Sequence, residues 1–208
     1  MKNWLDKMER RFGRYAIRNL TMYLLAGYAI GYLLSFTMPQ LLTYFTLEPA
    51  LILKGQVWRL LSWVIIPPND NIIFVIFMML LYYSLGNTLE SYWGAFRYNV
   101  YIFSGILFTV IGAFIVNGLI GGITGFGSLY STYYINMSIF LACASIMPDY
   151  QLLLYGIIPI KMKWLAVLDV VLLAVDAVQG GLIIRIVIIA SLLNFIIFFF
   201  CNRNLRGH

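Results

Sequence analysis

The chain has 208 residues, 62% of them hydrophobic and 11% charged, with a net charge of +6. A mean hydropathy of +0.87 excludes a soluble domain of this length, which could not bury that much apolar surface. The apolar runs are continuous and rich in Leu and Ile, whereas a membrane β-barrel needs short alternating segments, so the expected class is an all-α, polytopic membrane protein.

Residues 1–18 interleave basic side chains with Trp4, Leu5, Met8, Phe12 and Tyr15 at roughly helical spacing. This predicts a basic amphipathic segment lying in the headgroups, with membrane lipids as its partner. The segment is long for a signal-peptide n-region and no small-x-small site follows the first apolar run, so it reads as an uncleaved anchor.

Residues 19–201 form the expected membrane domain, and 202–208 a short tail. Spans of roughly 20 apolar residues are predicted at about Leu20 to Phe36, Ile72 to Thr88, Tyr98 to Val116, Thr132 to Met147, Trp164 to Val178 and Leu182 to Cys201. The first span carries Gly27 and Gly31 as a GxxxG packing pattern. Between the first two spans, Thr37 to Asn71 is too apolar for open water, yet Pro39, Pro49, Pro67 and Pro68 break it into short pieces. Short interfacial helices are expected there.

A polar joint, Gly86 to Arg97, separates the second and third spans, and Glu90 and Arg97 are expected to pair and hold that turn. Gly118 to Tyr130 contains five glycines and no charge; it reads either as backbone covered by protein at membrane depth or as a flexible turn. Ser131, Ser138 and Ser145 recur at heptad spacing with Ala142 beside them, a small-residue face that predicts a central position for the short fourth span.

Six spans place 11 of the 14 basic residues on the N-terminal side and leave Lys54, Arg59 and Arg185 opposite, the bias the positive-inside rule requires of cytoplasmic termini. The charge therefore reports topology and lipid contact, not nucleic-acid binding. Cys143 and Cys201 lie in or at the end of spans, so no disulfide framework is implied. No internal repeat, metal-ligand spacing or phosphate-binding glycine loop occurs, and no cofactor is expected.

Several motifs occur in a telling order: Trp58-Arg59 in the apolar first loop, then Gly86, Leu89, Glu90, Gly94 and Arg97, then Pro148, Ile158-Pro159-Ile160-Lys161 and Trp164. In this the chain resembles the rhomboid family, from about Asn19 to Cys201. The resemblance implies a six-helix bundle with a large first loop and, by its likeness to bacterial members, a bacterial plasma membrane. In active rhomboids a fourth-span serine in a Gly-x-Ser-Gly setting is activated by a sixth-span histidine, because a hydroxyl near neutral pH needs such a base.

Here those positions fall at Tyr133 and Ser191, and the single histidine is His208. The second-span donors of the family's oxyanion hole fall at Phe74 and Met78, neither of which donates a strong hydrogen bond. The pattern is that of an inactive, Derlin-like member with no catalytic residues.

Asp169 and Asp176 are seven apart on one predicted helical face, and Arg185 opens the sixth span. Charges inside spans are costly and usually face the bundle or water. They mark either a polar groove for a client helix or ion, or an outer-interface cluster in which Asp176 and Arg185 pair or reach water. Trp58 and Arg59 read as an interfacial anchor, with the guanidinium on phosphate or loop carbonyls. The expected function is non-catalytic binding of transmembrane clients; the alternatives are a protease with displaced residues, or a small transporter or channel using Asp169 and Asp176.

Overall fold

A computed structural model describes residues 4–66, 72–130, 132–154 and 158–201. The N-terminal helix α1 (Trp4–Phe12) buries Leu5 and is followed by α2 (Leu20–Thr37). Helix α2 stops where Pro39 keeps Met38 out of helical backbone, at φ −146° and ψ 66°. Pro39 and Pro49 then open α3 (Pro39–Phe45) and α4 (Pro49–Ile52), where a missing N–H costs nothing because the first turn has no acceptor for it. With α5 (Arg59–Ser62) and a 3-10 turn at Trp63–Ile65, they make the first loop a set of short helices, as predicted.

The joint is much tighter than a loop. Helix α6 (Ile72–Trp93) runs through Glu90, and a single residue separates it from α7 (Ala95–Leu119). The break is Gly94, whose φ of +84° suits a residue without a Cβ.

Helix α8 (Tyr133–Ile146) lies at the centre, with Tyr134 through Ala144 all buried. It packs against α6, α7, α9 (Met162–Gln179) and α10 (Leu182–Cys201). Ser138 Oγ donates to Ile135 O at 2.7 Å and Ser145 Oγ to Leu141 O at 2.8 Å, within their own helix, while the Tyr101 hydroxyl on α7 donates to Ser138 O at 2.8 Å. Small hydroxyls satisfied in this way let other helices approach closely. The most extensive helix pair is α7 with α10, joined at one end by Trp93, Tyr101 and Phe198, whose ring centroids lie 4.6–5.4 Å apart.

Three helices among the described residues are long and apolar enough to cross a membrane: Leu20–Thr37, Ala95–Leu119 and Leu182–Phe199. At 1.5 Å per residue the 14-residue α8 reaches about 21 Å, against a hydrocarbon core of about 30 Å. Helix α9 carries Lys163, Asp169 and Asp176.

The all-α expectation needs one correction. Between α8 and α9, strands β1 (Gln151–Leu154) and β2 (Ile158–Lys161) form an antiparallel hairpin in the register Gln151↔Lys161 to Leu154↔Ile158. Both strands of a two-stranded ribbon are edges, which is why Pro159 is accommodated.

At the hairpin base the exposed Asp149 carboxylate lies 3.5 Å from Lys161 Nζ and 3.2 Å from Lys163 Nζ. The Lys163 hydrogen bond, with the positive charge of both lysines, holds Asp149 below its ordinary value of 3.8. A lowered folded value means that the contact stabilises the fold fully above pH 3.8 and loses that contribution as pH falls through the folded value. Protection of the hairpin amides, taken relative to the intrinsic exchange rate at each pH, should therefore fall on acidification in the native protein and show no such step in Asp149→Asn.

Candidate functional site

The joint between α6 and α7 does not hold itself together by a Glu90–Arg97 pair. Arg97 instead reaches α1, donating from Nη2 to Asp6 Oδ1 at 2.8 Å and from Nε to Glu9 Oε2 at 2.9 Å. Glu90 Oε1 accepts the backbone N–H of Asn19 at 2.8 Å. Asn19 is the single non-glycine residue with positive φ among the described residues, at 55°, and Asn tolerates that conformation better than most. Asn99 Nδ2 donates to Ile17 O at 2.8 Å. The two charges serve separate partners because the N-terminal segment folds back across the joint and supplies carboxylates for Arg97 and an amide for Glu90.

This clamp has a measurable strength. Arg97 is largely covered while Asp6 and Glu9 are about one-third exposed, so solvent screening leaves about 1–2 kcal/mol for the two pairs together. Arg97→Ala should speed tryptic cleavage at Arg10, Arg11 and Arg14, and added salt should do the same in the native protein. Cleavage rates indifferent to both would show that the pairs do not hold α1.

In the first loop Trp58 is exposed, and its indole N–H donates to Tyr44 O at 3.2 Å. Arg59 is 3% exposed; its Nη1 donates to Thr43 O, Thr46 O and Thr46 Oγ1 at 2.8–3.1 Å, and its Nε to Gln56 Oε1 at 2.7 Å. Of the two anchors expected for the guanidinium, it takes the loop carbonyls. Glu48 is also buried, and its Oε1 accepts N–H groups from Gly125 at 2.8 Å and Gly127 at 2.7 Å. At Gly127 an added Cβ would lie 2.7 Å from Glu48 Cγ, so the glycine permits this approach. The glycine-rich segment is thus pinned to the first loop near the start of α8, with Gly127 and Tyr130 buried.

Within the bundle, Asn136 on α8 donates from Nδ2 to Tyr28 Oη on α2 at 3.2 Å. Asp169 is 7% exposed, and its Oδ2 has no hydrogen-bond partner among the described residues. Asp176 is only half-buried. Arg185 is exposed and caps the end of α9, donating from Nε to Ala177 O at 2.8 Å. The unbonded carbonyls of the last helical turn give the guanidinium the partner expected to be Asp176.

Tyr133 sits at the first turn of α8, edge-on to Tyr134. Met78 is half-buried on α6. Ser191 lies on α10 and Phe74 on α6, but their side chains, like Ser131, His208 and the tail 202–208, lie outside the described residues.

Several residues that position this interior belong to none of the sequence motifs. Asn194 on α10 accepts from Ser104 Oγ at 2.6 Å and donates to Tyr101 O at 3.1 Å, bridging α7. Asn194 stands alone in the otherwise apolar stretch from Leu192 to Cys201, and Glu48 is the sole acidic residue between Thr37 and Ile66. Their isolation was the available signal. The crevices formed by the described residues include one of about 380 Å³ between the N-terminal segment and α7, and another of about 340 Å³ between α8, α9 and α10. Neither is lined by Tyr133.

Membrane-length apolar helices around a buried central helix define a helical integral membrane protein. The chain belongs to the family described as eukaryotic integral membrane protein (DUF1751), which it matches over residues 18–203. No curated protein and no solved structure matches it. The eukaryotic family corrects the expected bacterial plasma membrane. Charge asymmetry reports the side of a bilayer on which a segment lies, not the organism that owns the bilayer.

Proposed function

We propose that this chain is a non-catalytic, rhomboid-like integral membrane protein whose six long helices receive the transmembrane segment of another membrane protein. The observation that carries this reading is the crevice between α8, α9 and α10, lined by the small residues Ala144, Ser145 and Ala166 with Val170, Leu192 and Phe195. Small residues let a helix backbone come close, which is how helices associate where no hydrophobic force separates them from lipid. Of the 18 residues of α9 only Met162, Asp169 and Leu173 are buried, so shifting it outward disturbs little packing.

The test is association of a synthetic single-span peptide with the protein in phosphatidylcholine vesicles, read by energy transfer. Ala166→Trp fills the crevice and should weaken association severalfold. Equal transfer with native protein and Ala166→Trp would remove the support for this reading. Labelling by a fluorophosphonate probe that is lost on changing a single α8 serine to alanine would overturn it in favour of a serine hydrolase.

The unpartnered Asp169 oxygen favours a second reading, a small transporter using that carboxylate. It requires proteoliposome flux that disappears in Asp169→Asn; flux that survives the substitution excludes it.

A further inference from the structure

We infer that the crevice between the N-terminal segment and α7 is a seat for one anionic phospholipid, with an acyl chain along α7 and the headgroup at Arg14 and Arg18. This site is separate from the α8–α10 crevice and does not depend on client binding. Its long wall is Phe96, Val100, Phe103 and Leu107, faced by Tyr15 and Ile17. Those four positions follow the spacing i, i+4, i+7, i+11, a single stripe on α7. Eleven residues at 1.5 Å rise give about 16 Å, close to half of a hydrocarbon core of about 30 Å, so the stripe has the length of one leaflet. A volume of about 380 Å³ falls in the range of small-molecule sites.

Charge selects the occupant. Residues 4–18 carry five basic and two acidic side chains. Both acids, Asp6 and Glu9, are engaged by Arg97. Arg11, Arg14 and Arg18 are exposed; Arg11 and Arg14 lie over the rings of Phe12 and Tyr15, which line the crevice, and Arg18 follows the lining residue Ile17 in the chain. Arg14 is held at the rim: its Nη2 donates to Tyr15 Oη at 2.6 Å, and its guanidinium carbon lies 4.7 Å from the centroid of that ring. Asn99 in the wall is 5% exposed and keeps an Oδ1 with no partner among the described residues, an acceptor for a headgroup hydroxyl or ammonium. An apolar trough one leaflet deep with guanidinium groups at its mouth matches a lipid tail and phosphate better than it matches a neutral lipid or a soluble anion.

Full-length protein in non-ionic detergent, titrated with dioleoyl phosphatidylserine or dioleoyl phosphatidylcholine and read by native mass spectrometry, tests the assignment. One phosphatidylserine should be retained in preference to phosphatidylcholine. Arg14→Gln with Arg18→Gln should weaken phosphatidylserine retention roughly thirtyfold, as expected for removing two basic residues from an anionic surface, and leave phosphatidylcholine unchanged. Ala16→Trp, at a lining position outside the long helices, should reduce retention of both lipids by blocking the trough. Equal retention of the two lipids, or a double variant that binds phosphatidylserine normally, overturns the inference. So does displacement by millimolar inorganic phosphate, which would reduce the site to a headgroup contact, or by a single-span peptide, which would give the trough to a protein helix.

Discussion

Arg59→Ala is expected to destabilise the first loop by about 3 kcal/mol, a large change on the scale of single substitutions. The guanidinium is 3% exposed and is the polar partner of two backbone carbonyls, Thr43 O and Thr46 O. Truncation removes the charge-assisted hydrogen bonds to the loop and leaves Thr46 O unpaired, at about 1–3 kcal/mol, while Thr43 O keeps only the Thr46 hydroxyl, at 2.9 Å. Arg59→Lys should recover only part of the loss, because a single ammonium cannot reproduce the fork that reaches Gln56 on one edge and Thr43 and Thr46 on the other. The readout is hydrogen exchange over residues 39–66 together with thermal unfolding. Exchange in Arg59→Ala as slow as in the native protein would mean that the short helices hold the loop without it.

Gly86→Ala carries the second large effect, and two opposing terms decide its sign. In an exposed helix the change would stabilise by about 1 kcal/mol, since Ala is the better helix former. At Gly86 the new Cβ would collide with Thr21 Oγ1, stand 2.6 Å from Thr21 Cγ2 and lie 2.8 Å from Tyr98 Oη. Thr21 and Tyr98 are buried and hydrogen-bonded to each other at 2.8 Å, and a β-branched threonine has little rotamer freedom with which to escape. Overpacking of this kind costs about 1–3 kcal/mol and should prevail. Thermal unfolding should show a net loss in Gly86→Ala that is partly recovered when Thr21→Ala is added. A single variant more stable than the native protein would place the α2–α6–α7 contact elsewhere.

Much of the scaffold is legible in the sequence. The helices start and stop close to the predicted positions because hydropathy, proline and glycine act locally: Pro39 ends α2, and Gly94 separates α6 from α7. The short helices of the first loop follow from its prolines, and the central place of α8 from its small residues. The hairpin after α8 escaped because two four-residue strands produce too little alternation to stand out beside helical runs. The candidate site was legible in its members more than in its partnerships. Asp169 was singled out and is buried, whereas Glu90 and Arg97 were matched to each other through proximity along the chain.

The sequence by itself determined that this protein is a helical membrane protein and where its long helices lie, because water and lipid sort residues by local apolar content. Only the tertiary structure decided which polar groups meet. Arg97 finds Asp6 and Glu9 at separations of 91 and 88 residues, and Glu48 finds Gly125 and Gly127 at 77 and 79. A buried charge or amide makes its hydrogen bonds with whatever group packing brings within about 3 Å. Spacing along the chain carries no record of that encounter.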